Sequence, residues 1–151
     1  MFIIGVVVGV VVTLLVLMVI VPSKMFVVKE SKLSFHETVE AVEKSASDLN
    51  WGMPHKYDLQ ATLKGKGFEV KPVQVISLCK PNHANQVLSL DSERHISAIL
   101  PCRIAVYEKG GKTYISYLNA GFLSNIMSKK VKPVMGQVGA ELEVVIRQIV
   151  K

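Results

Sequence analysis

Little in this 151-residue chain signals chemistry. It has no Gly-x-Ser-x-Gly elbow, no Walker loop and no Gly-x-Gly-x-x-Gly turn, so the usual signatures of α/β-hydrolases, P-loop enzymes and dinucleotide-binding enzymes are missing. Glu141 and Glu143 lie two apart on a predicted helix and face different directions, which excludes a carboxylate dyad between them. No residue is marked as catalytic. The formal net charge is +6, yet there is no basic run and no interleaving of basic with aromatic residues, so nucleic acid is not expected as a partner. Lys129, Lys130 and Lys132 form the only basic cluster, which a solvated loop explains. Cysteine is scarce, with Cys79 and Cys102 alone. Internal repeats and low-complexity stretches are lacking, so residues 25–151 read as one unit.

The most informative absence is charge at the front of the chain. Between Phe2 and Pro22 there is no Asp, Glu, Lys or Arg, and Thr13 is the only polar side chain between Phe2 and Val21. As a helix this run rises roughly 30 Å, the thickness of a bilayer's hydrocarbon core. A strand has no use for so long a run, and in lipid the β-branched residues are tolerated because the backbone must pair internally. A cleaved signal peptide fits less well, for want of a basic n-region and a small-x-small cleavage site. Pro22 is expected to end the helix near the interface. Residues 1–23 are therefore assigned as a transmembrane anchor and 24–151 as a single domain.

Lys24, Lys29 and Lys32 follow the span, and the positive-inside rule then places the domain in the cytoplasm. The bias is three lysines with Glu30 among them, so a periplasmic or extracytoplasmic domain stays open. The bilayer itself is the first expected partner, and its anionic headgroups suit the net positive charge. Gly5, Gly9 and Thr13 recur every four residues, a small-xxx-small face through which two helices could pair.

Past the anchor, Met25–Lys29 suits a first strand. Ser34-x-x-Glu37 is a capping box opening a helix whose Phe35, Val39, Val42, Ala46 and Leu49 share one face, and Asn50-Trp51-Gly52 ends it. Asp58 caps a short helix bearing Leu59 and Leu63. Val73–Cys79 carries apolar residues on both sides, as an interior strand does. Pro81-Asn82 opens a helix to Leu90. Arg103–Glu108 and Lys112–Asn119 form a hairpin about Gly110-Gly111, and Phe122–Met127 makes a helical turn. A last helix from Pro133 buries Val134, Val138, Leu142, Val145 and Ile149. The fold class is α+β, a mixed or antiparallel sheet with helices packed on one face.

The series Phe35-x-x-Thr38, Trp51-Gly52-x-Pro54, Cys79-x-Pro81-x-x-Ala84, Leu100-Pro101-Cys102-Arg103-Ile104-x-Val106-Tyr107-Glu108 and Lys112-Thr113-Tyr114-Ile115-Ser116 resembles the domain of unknown function 302 family. The likeness runs through nearly all of residues 26–150 and includes Val134-Met135-Gly136. It implies a compact α+β domain of the TATA-binding-protein-like type, often a homodimer, and supplies no reaction. Lys80 departs from the pattern, where members commonly carry Asn.

Four readings of the two cysteines compete. They are small buried thiols, or a disulfide closing a loop of about 23 residues, worth roughly 3 kcal/mol in an oxidising compartment. They join His83 and His95 as ligands for zinc or Cu(I). Or Cys79 is a redox or sulfur-carrying thiolate, helped by Lys80 and the amide donors at Asn82. Arg103, beside Cys102, could pair an anion. Trp51, Tyr57, Tyr107, Tyr114 and Tyr117 read as core aromatics rather than a pocket. His36 reads as exposed, and Asp58 as a cap rather than a base. The function this points to is a membrane-tethered module binding a small ligand or metal near Cys79 and Cys102. The alternatives are a thiol redox or sulfur-transfer protein, and an accessory subunit of a larger membrane complex.

Overall fold

The computed structural model describes residues 2–151; Met1 lies outside them. Helix α1 runs Phe2–Met25, and from Ile4 to Lys24 every side chain is exposed. Ile4–Met25 is long and apolar enough to cross a membrane. Pro22 does not stop it, contrary to expectation: the helix passes through Pro22 for another three residues. The proline costs one intrahelical bond, but nearby the Ser23 hydroxyl donates to the Ile20 carbonyl at 2.8 Å. Thr13 likewise donates to the carbonyl of Gly9 at 2.8 Å, so its hydroxyl is engaged within its own helix. An added Cβ at Gly5 or Gly9 would meet nothing within 4 Å.

The domain then alternates β1 (Phe26–Glu30), α2 (Phe35–Asp48), β2 (Lys56–Asp58), α3 (Leu59–Lys64), β3 (Val73–Leu78), α4 (Pro81–Leu88), β4 (Cys102–Lys109), β5 (Lys112–Leu118), α5 (Ala120–Leu123) and α6 (Lys132–Ile146). The strands form one sheet in the order β1-β5-β4-β3-β2, with every ladder antiparallel and no parallel pair to make it mixed. β3 is interior, as its two apolar sides require. Gly110 (φ 60°) and Gly111 (φ 75°) make the β4–β5 turn with a backbone twist that other residues resist.

Local chemistry explains the helix starts. At α2 the Glu37 carboxylate accepts from the Ser34 amide (3.0 Å) and hydroxyl (2.6 Å), which holds its pKa below the usual range. At α3 the Asp58 carboxylate accepts from the Ala61 amide at 2.8 Å; Asp58 is at once the last residue of β2 and the helix cap. Asn50 takes φ 59° just past α2, the left-handed ending that Asn tolerates.

Alternation separates the two faces of the sheet. Ile76, Leu78, Ile104, Val106, Ile115 and Tyr117 are buried together with Val39 and Val42 of α2 and Val138, Leu142 and Val145 of α6. Gly139 of α6 lies so close to α5 that a Cβ there would stand 2.7 Å from the Gly121 amide nitrogen. The residues between, Ala105, Tyr107, Tyr114 and Ser116, are half-buried on the second face, where Tyr107 and Tyr114 stack across the ladder with ring centroids 5.7 Å apart. Phe26 and Val28 are exposed on edge strand β1.

Candidate functional site

Antiparallel pairing brings the two family-like cysteine segments to one end of the sheet. Leu78 stands opposite Cys102 at the last rung of the β3–β4 ladder. Cys79 continues into a two-way bridge with Gly52, each amide donating to the other's carbonyl at 2.8 Å. A Cβ at Gly52 would lie 3.2 Å from the Cys79 carbonyl, so the small residue permits this approach. Trp51, immediately before it, is buried.

Around this bridge the structure assembles a polar cluster. Lys80, at the N-cap of α4, places Nζ 2.7 Å from Glu141 Oε2 and 5.7 Å from the Trp51 ring centre. His83, one turn along α4, puts Nε2 2.9 Å from Glu141 Oε1, and its ring lies 6.1 Å from Trp51. Burial would raise the Glu141 pKa, but its hydrogen bonds to Lys80 and His83 outweigh that and hold it below the usual carboxylate range. Trp51 Nε1 and His83 Nδ1 are buried and find no hydrogen-bond partner among the described residues. Glu141 meets α4 across 58 and 61 residues of sequence, so spacing on α6 alone could not reveal its partners. Lys80, where the sequence departs from the family pattern, here pairs with Glu141 and lies over Trp51.

The four metal-ligand candidates do not converge. Among the described residues no group of three or more His, Cys, Asp or Glu could hold a metal ion. His83 is turned to Glu141, and His95 is exposed on the 3-10 helix Asp91–Ile99, an element the sequence did not announce. Both cysteines are free thiols. Burial pushes the Cys102 thiol up to about 11, with neighbouring Cys79 adding to the rise, so little of it is thiolate at neutral pH. Asp58 is a cap, and His36 is exposed, edge-on to Phe35.

Beside Cys102 a cavity of about 370 Å³ opens, within the size range of small-molecule sites. Its walls are mainly apolar: Phe26, Ile99, Leu100, Ala105, Leu118 and Met135 are among them. Arg103 and Tyr117 contribute the polar groups that matter. Arg103 is exposed and enters no ion pair among the described residues. Tyr117 is buried with its hydroxyl unpartnered, and burial, with a smaller push from Glu143, raises its pKa to about 12. Of the five aromatics considered from the sequence only Tyr117 lines the cavity, so there is no aromatic cage. The rim is tied to helix α1. Phe26 directly follows Met25, and the Asn119 amide donates to the Met25 carbonyl at 2.8 Å, fastening the end of α1 to the β5–α5 corner.

Residues 27–149 match the family described as Domain of unknown function DUF302. A crystal structure of an uncharacterized conserved protein DUF302 from Bacillus stearothermophilus is similar, with a TM-score of 0.74 at 21% identity, covering 82% of this chain and 97% of that one. No curated protein matches. The matched residues take in both cysteine segments, the Trp51-Gly52 pair and α6, and the chain belongs to the domain of unknown function 302 family.

Proposed function

We propose that the chain is a single-pass, membrane-anchored module that binds a small ligand in the cavity beside Cys102 and Arg103. The observation that carries this reading is the union of an apolar cavity of about 370 Å³ with an unpaired arginine at the foot of a helix able to span a bilayer. Lys24, Lys29 and Lys32 support a cytoplasmic domain. The antiparallel sheet covered on one face supports a TATA-binding-protein-like architecture. The half-open second face of that sheet, with exposed Phe26 and Val28 at its edge, supports a homodimer. The binding reading draws on the arginine and the cavity rather than on zinc or copper, because His83 is committed to Glu141.

The test is native mass spectrometry of the full chain released from nanodiscs. The wild type carries a small molecule at one per chain. Ala98→Trp, which fills the cavity from an exposed position on the 3-10 helix Asp91–Ile99, loses it. A wild type that is always empty, and whose melting temperature no small apolar probe raises, contradicts the reading.

A further inference from the structure

Resting on that reading, we infer the ligand class: a single-chain anionic amphiphile of the fatty-carboxylate type, received from the bilayer at the foot of α1. Three independent features lead there. The walls are apolar, and at about 30 Å³ for each water-sized group the volume holds about a dozen non-hydrogen atoms, the size of one medium-length chain rather than a two-chain lipid. The one charged residue on the lining is Arg103, whose guanidinium has no carboxylate partner among the described residues and whose planar fork suits a carboxylate.

The third feature is position. Phe26 belongs both to the cavity wall and to the first residue after α1, and the bond from Asn119 to Met25 keeps that corner closed onto the helix end. With α1 in lipid, the rim lies at the headgroup level, where a single-chain amphiphile has its polar end. The chain can then enter between Phe26 and the segment Ala98–Pro101 with its carboxylate still facing water and Arg103. A neutral chain gains the same apolar burial but leaves the arginine unmatched, so the site discriminates by charge.

The experiment uses the full chain in phosphatidylcholine nanodiscs with a dodecanoate analogue bearing a terminal diazirine. Photolysis is expected to label the cavity segments 98–105 and 116–120, and unlabelled dodecanoate to compete. Dodecanol competes roughly tenfold less well, the size of effect a charge-assisted hydrogen bond gives. Arg103→Gln, at an exposed position, is expected to remove that tenfold preference while dodecanol still competes. Equal competition by acid and alcohol in the wild type, or a preference that survives Arg103→Gln, overturns the anionic assignment and leaves the cavity reading standing. Labelling confined to α1 and competed by neither probe overturns both. Competition that is equal in nanodiscs and in detergent micelles shows an aqueous route and overturns delivery from the bilayer.

Discussion

Two apolar helices of this chain meet opposite ends. α1 has apolar residues all the way round, and from Ile4 to Lys24 every one of its residues is exposed. α6 has its apolar residues in a stripe, and buries Val134, Met135, Val138, Gly139, Leu142, Val145 and Ile146 against α2, α5 and the sheet. The difference lies in composition and pattern together: α6 sets Gln137, Glu141 and Glu143 between its apolar residues, and α1 carries no charge before Lys24. A striped helix finds its partner inside the domain; a uniform one has no face to offer, and among the described residues no element buries it. A surface of that kind suits a solvent as apolar as itself, which is why the proposal places α1 in a bilayer.

Substitutions can break that contrast. Leu142→Ala, at a site 1% exposed, is expected to cost about 2–5 kcal/mol in denaturant unfolding of the domain. The same change at Leu15 of α1 should leave domain unfolding unchanged. An equal loss at both would mean α1 packs on protein after all. Val12→Arg should behave the other way: the domain stays folded while membrane insertion weakens by about 2.5–3.5 kcal/mol, read as the fraction integrated in a translation assay.

Gly139→Ala sharpens the account of α6, because the new methyl would strike the Gly121 backbone rather than a flexible side chain. A loss of about 1–3 kcal/mol is expected in the same denaturation assay. The smallest effect concerns Glu141, whose pKa is lowered in the folded domain. Its stabilisation is present above the ordinary carboxylate value of 4.5 and is lost as the pH falls below it. Wild type minus Glu141→Gln should therefore be about 0.5–1 kcal/mol at pH 7 and shrink toward zero near pH 3. A difference that grows on acidification would mean that Lys80 and His83 do not hold the charge.

The parts legible in the sequence are those set by near neighbours. Ser34 with Glu37, Asp58 with Ala61, and the Gly110-Gly111 turn each act within three residues, and the α6 stripe needs only its own period. What escaped depends on distant chain segments or on competing signals. The 3-10 helix Asp91–Ile99 begins with a polar run that has no apolar period. Pro22 reads as a stop, yet the helix passes it. Glu141 has no visible partner until α4 folds against α6, and the cavity is made by segments as far apart as Phe26 and Leu142. Cys79 and Cys102 lie at one end of the sheet, but spacing could not tell that the half-buried Cys102 thiol has its pKa raised rather than lowered.

The central claim, that α1 resides in lipid, is tested most directly by alkaline carbonate extraction of membranes containing the full chain, with intact-mass analysis of each fraction. The account predicts that the protein stays in the pellet with residues 1–25 present and is released only by detergent. Recovery in the supernatant with the same intact N-terminus would contradict it.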